Sequence, residues 1–138
     1  MDMQKTVTRL TEEAELQLHG EQWQPTPVDR TLAAQAAAEL EEAVGPPEVQ
    51  RALPAIECLE RLRTALAVLA VTLARVHGHL AWFLAAASTA LAPVLHWRAL
   101  PADDGYSFGA VLPTPEQYAD AEDAVRLLQQ TLARIAAQ

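Results

Sequence analysis

Residues 55–97 read AIECLERLRTALAVLAVTLARVHGHLAWFLAAASTALAPVLHW. Within this stretch Ala55, Leu59, Leu62, Leu66, Leu69, Leu73, Val76, Leu80, Phe83, Ala87, Ala90, Val94 and Trp97 follow one another at steps of three and four. That spacing keeps side chains on one stripe of an α-helix. The stripe opposite carries Glu57, Arg61, Thr64, Thr72, Arg75, His79, Thr89 and His96, which suits a bundle edge facing water. The chain therefore reads as all-α: a bundle of about four helices around one long central helix at about 55–97.

Gly78, between His77 and His79, offers an alternative, a break into a hairpin of two matched helices. Against a break, the apolar seam keeps its phase across Gly78, and no Ser, Thr, Asp or Asn stands there as an N-cap. A glycine inside a helix costs only about 1 kcal/mol. Pro93 lies on the outer stripe, where it would bend the helix without obstructing the seam. The expectation is one continuous helix, with or without a bend at Pro93, reaching about 65 Å at 1.5 Å per residue.

The rest of the chain supplies its neighbours. A thin stripe of Met3, Val7, Leu10, Ala14 and Leu18 predicts a first helix over about 3–19. Residues 1–24 form an N-terminal helix and linker, expected to be loosely attached to the single domain 1–138. Pro25-Thr26-Pro27 ends one segment and starts another, with Thr26 as N-cap, Pro27 in the first turn and Asp29 completing a capping box. This second helix runs to about Val44, with Leu32, Ala36, Leu40 and Ala43 inward, and Gly45-Pro46-Pro47 stops it. Residues 48–53 read as one short helical turn before Pro54. After the long loop 98–114, Thr114, Pro115 and Gln117 repeat the capping device. The last helix carries Tyr118, Ala121, Val125, Leu128, Leu132 and Ile135 inward.

Composition limits what such a bundle does. The 138 residues are 51% hydrophobic and 20% charged, with a net charge of −8, which fits one domain with its own core. An isoelectric point near 4.9 and singly spread arginines argue against nucleic acid as a partner. Abundant alanine and arginine, with Lys5 as the sole lysine, read as the codon bias of a high-GC bacterial gene. One cysteine, Cys58, cannot form an internal disulfide, and the N-terminus lacks the apolar run of a signal peptide, so the expected location is cytoplasmic. The uncharged run Leu80–Leu95 is 16 residues long, short of the roughly 20 a membrane span needs, which leaves membrane insertion a minor alternative.

No catalytic, cofactor-binding or metal-ligating constellation is legible. Gly105-Tyr106-Ser107-Phe108-Gly109 matches the G-x-S-x-G pattern, but no strand precedes it and every histidine (His19, His77, His79, His96) comes before Ser107. No Glu-x-x-His pair occurs. His77 and His79 point nearly opposite ways on one helix; His79 and His96 read as solvated, and His77 as lying beside the seam. Cys58 reads as a half-buried, inert thiol. The acids at 12–15, 39–42 and 116–123 fall near different helix ends, and Glu57–Arg61 reads as an ordinary surface pair.

The expected function is non-enzymatic: a helical interaction or oligomerisation protein, an adaptor or accessory subunit. A rod longer than its neighbours would expose apolar surface, so Leu66, Leu69, Leu73, Val76, Leu80 and Phe83 are the candidate interface of a homodimer or heteromeric complex. Asp103, Asp104, Tyr106 and Phe108 form a candidate partner-contact loop. One alternative is an acidic inhibitor, antitoxin-like, that blocks a basic surface. Another is a small-molecule binder using an interhelical cavity near Trp82, Phe83 and Trp97.

Overall fold

The long seam is broken where the alternative reading placed the break. In the computed structural model, which describes residues 2–46, 55–97 and 113–138, the seam forms two helices, α3 (Ala55–Leu73) and α4 (Gly78–Leu91). They join α1 (Met3–His19), α2 (Pro27–Val44) and, at the end of the chain, α5 (Pro115–Ala136). A 3₁₀ segment, Ala92–His96 with Pro93 in its first turn, extends α4. The described residues are all-helical apart from the connections.

The expectation of a continuous rod is therefore corrected, and the reason is energetic. Arg75 and Val76 close the end of α3 with hydrogen bonds to Thr72 and Leu73, His77 is extended, and Gly78 turns the chain at φ +65°. Glycine enters that left-handed region without the penalty other residues meet. Folding back lets both halves of the seam face one core: Leu59, Leu62, Leu69, Leu80, Phe83 and Ala87 are all buried. Each large apolar side chain so buried contributes about 1.5–3 kcal/mol, which outweighs the helical hydrogen bonds lost at one turn. α4 starts without a side-chain cap. Far from the turn, a guanidinium nitrogen of Arg63 donates to the Trp97 carbonyl and ties the hairpin's open ends together.

Around the bundle the order is α1, α5, α2, α3, α4 and back to α1. α1 and α2 are successive in sequence, yet α5 inserts between them. Five neighbours in a ring cannot alternate direction throughout, so one adjacent pair must run parallel. That pair is α1 and α5: Asp120 meets the start of α1, and Arg134 pairs with Glu15 near its end. α2 and α5 share the most extensive contact, where buried Ala33, Ala36 and Ala37 on one helix and Ala121 and Ala124 on the other allow close approach.

Both Pro-Thr-Pro starts behave as read. Thr26 and Asp29 exchange hydrogen bonds of 3.1 Å, and Thr114 and Gln117 exchange bonds of 2.9 and 3.2 Å. The N-terminal helix, expected to be loosely attached, places Met3, Val7, Leu10 and Ala14 in the common core. Thr72 departs from the water-facing stripe: it is buried, and its hydroxyl donates to the Val68 carbonyl of its own helix at 2.8 Å. The short turn expected at 48–53 lies outside the described residues.

Candidate functional site

The acids at 39–42 and 116–123, far apart in sequence, are brought to the same end of the bundle. α2 runs antiparallel to α5, so its last turns, with Glu39, Glu41 and Glu42, lie beside the first turns of α5, with Glu116, Glu122 and Asp123. Glu57 and Glu60 enter from the start of α3, and Asp2 from the start of α1. All of these except half-buried Glu122 are exposed. Carboxylates at the N-termini of α1, α3 and α5 also complement those helix dipoles. The cluster at 12–15 lies along α1 toward the opposite end, as its separate place in sequence implies.

Three ties hold this acidic end together. Arg126 donates to the Gly45 carbonyl at 2.9 Å and pairs with Glu122 at 2.5 Å. Arg61 reaches the Val44 carbonyl at 3.4 Å, so it serves the end of α2 more than a surface pair with Glu57. Tyr118 on α5 hydrogen-bonds Cys58 on α3. Burial, then the Cys58 bond and the nearby Glu122, push the Tyr118 phenol well above its ordinary value, against the smaller opposing effect of Arg61. Cys58 is buried, deeper than the half-buried thiol expected.

At the rim, the Asp120 carboxylate accepts the backbone N–H groups of Met3 and Gln4 at 2.7 and 3.2 Å. Partial burial and the neighbouring Asp2 carboxyl raise the Asp120 pKa above its usual value. Asp2 is lowered, chiefly by its hydrogen bond with Asp120 and then by the Lys5 N–H.

The opposite end is built around Trp23, which the periodic patterns did not reveal because it lies in the α1–α2 loop. Glu21 at φ +61° turns that loop, and the Trp23 N–H returns to the Gln17 carbonyl at 3.1 Å. The indole is buried, stacked on His79 at 5.5 Å with 22° between planes, and tilted against Phe83 at 6.4 Å. Beside it an open recess of about 520 Å³ is lined by Trp23, Thr26, Val28, Asp29, Arg75, Val76 and His77, among others. His77, expected beside the seam, is exposed at this rim, while His79 is exposed yet stacked.

The candidate interface residues lie within the core of the bundle. Leu69, Leu80 and Phe83 are fully buried, Val76 is buried, and Leu66 and Leu73 pack half-buried against the same core. They belong to the common core of the chain. Phe83 and Trp97 are likewise buried, whereas Trp82 is 37% exposed and lines a shallow groove with Glu13, Gln17 and His79. The candidate loop residues Asp103, Asp104, Tyr106 and Phe108, with the G-x-S-x-G stretch, lie outside the described residues.

Among the described residues no three His, Cys, Asp or Glu side chains gather closely enough to hold a metal ion. Among the described residues one stretch, Gly78–His96, is long and apolar enough to cross a membrane, and its Leu80, Phe83, Leu84, Leu91 and Val94 are buried in the bundle. Comparison with family models, curated proteins and solved structures gives no match. The functional reading rests on the geometry of the two ends.

Proposed function

We propose that the protein works without catalysis, as a helical interaction protein whose acidic end contacts a basic surface on another protein. This joins the adaptor reading with the inhibitor-like one. The observation that carries it is the convergence of the α2 C-terminal acids and the α5 N-terminal acids at one end of the bundle. Like charges held together raise the local potential, which steers a basic partner and speeds its encounter. The homodimer reading depended on a rod too long for its neighbours, and the hairpin at Gly78 removes that support.

The test is capture from the native host on the immobilised full chain, compared with the triple variant Glu41→Lys, Glu42→Lys, Asp123→Lys. A partner retained at low salt, released by about 0.5 M salt and absent from the variant supports the reading. A partner held equally by both proteins, or none at all, removes it. Light scattering after size exclusion gives the oligomeric state independently.

A further inference from the structure

We propose that two copies of this chain associate antiparallel through the outer face of α3, as a weak and reversible dimer. This face is turned away from the apolar seam, which is spent on the core. It stands on observations separate from those behind the acidic-end reading.

The first is an apolar face with no neighbour. α3 packs on α2 and α4, and its outer side is covered by no other described element. From Thr64 to Ala74 every exposed residue there is uncharged, and Val71 is 62% exposed. The bond from Arg63 to the Trp97 carbonyl sets Leu95, 58% exposed, alongside the start of this face. The outer sides of α1, α2 and α5 instead carry several exposed Glu, Gln or Arg residues. Contiguous apolar exposure of this kind marks a contact surface. Burying Thr64 would orphan no donor, because its hydroxyl already donates to the Glu60 carbonyl at 3.0 Å.

The second is the order of charge along the face, which selects a second copy as the occupant. Exposed Glu57 and Glu60 precede the uncharged stretch and exposed Arg75 follows it. Ala74 and Arg75 continue the turn of α3 with bonds to the Ala70 and Thr72 carbonyls at 3.1 and 2.9 Å. Glu60 and Arg75 therefore stand about 22 Å apart along one helix line. Turning one copy end over end about the level of Ala67 sets Glu60 opposite Arg75 of the second copy, and the same pair recurs at the other end. Val71 then lies opposite Thr64 of the second copy. A parallel pairing would set Glu60 against Glu60 and Arg75 against Arg75. Asp29, which shares a recess with Arg75, has its carboxylate on the Thr26 N–H. With Glu57 and Glu60 offset by Arg63 and Arg75, two chains of net charge −8 can meet here without like-charge opposition.

The third is area. The 19 residues of α3 span about 28 Å, and with α4 alongside the face is about 20 Å wide, so two copies bury about 1,000 Å². That lies at the low end for a specific interface, which suits a dimer that dissociates on dilution. The rim pairs fix orientation more than affinity. Ala67, at the centre, lets two helices approach closely, whereas alanine and valine give a lipid surface little to hold.

The test is sedimentation velocity of the full chain from about 300 down to about 1 µM, where a monomer–dimer equilibrium is expected. Val71→Asp should weaken the dimer by about tenfold or more, with thermal unfolding of the dilute protein unchanged. Glu60→Arg and Arg75→Glu should each weaken it, and the two together should restore it, because the reversed pairs re-form. The Glu41→Lys, Glu42→Lys, Asp123→Lys variant should still dimerise, which separates this face from the acidic end. A monomer throughout the range, a dimer indifferent to Val71→Asp, or a double reversal no better than the singles overturns the proposal. So does a monomer that binds neutral lipid vesicles through Val71, since the face would then serve a membrane.

Discussion

Asp120, in the second turn of α5, accepts the backbone N–H of Met3 at 2.7 Å, and so caps a helix that begins 117 residues earlier. The bond sets the start of α1 beside the second turn of α5, and the Arg134–Glu15 pair farther along shows that the two helices run parallel. It places the first turn of the chain under the control of a carboxyl whose own protonation is perturbed.

The two carboxyls act on stability in opposite senses. Asp2, lowered in the fold, adds stability above its ordinary pKa of 3.8, which is lost as pH falls below that value. Asp120, raised in the fold, adds stability below 3.8 that is lost as pH rises through its folded value. Amide exchange in the first turn of α1 should therefore be slowest near the ordinary carboxylate range. Asp120→Asn, which keeps an acceptor for Met3, should abolish the loss above it. Asp120→Ala should cost about 1 kcal/mol at neutral pH as a lost cap, read by urea unfolding.

Gly78→Ala tests the turn. A side chain there meets no neighbour, so packing is unaffected, but φ +65° becomes strained. The expected loss is about 1–2 kcal/mol by chemical denaturation. An unchanged or higher stability would mean that the chain does not need the left-handed turn.

Leu69 and Val71 stand two residues apart on α3, one fully buried and the other 62% exposed. Leu69→Ala should cost about 2–5 kcal/mol, and Leu69→Asp should unfold the chain as a single molecule. Val71→Asp should change stability by less than about 0.5 kcal/mol. Circular dichroism melts with light scattering distinguish unfolding from dissociation of an assembly.

Tyr118 gives an alkaline counterpart. Its phenol is raised above the ordinary 10.0, so the stability it confers is present below that pH and lost as pH rises through the higher folded value. In an ultraviolet titration one tyrosine should resist ionisation until the fold opens. Tyr118→Phe should remove that late step and shift alkaline unfolding upward in pH.

Much of this was legible because it is local. The capping boxes at Thr26 and Thr114, the stop at Gly45 and the inward stripe from Ala121 to Ile135 depend on residues within one or two turns of each other. The break at Gly78 was harder to read because steps of three and four hold equally for one long helix and for two helices packed on a shared core. Periodicity is a local property, and a reversal of direction leaves it intact. Trp23 gave no signal, since a residue placed by a loop has no period to betray it.

By itself the sequence determined the helices, since amphipathic spacing and caps act between near neighbours. Only the tertiary structure decided that the seam closes on itself, that α5 inserts between α1 and α2, and that acids separated by some eighty residues share one end. Those outcomes depend on which surfaces bury each other best across the whole chain, a comparison that no single segment contains.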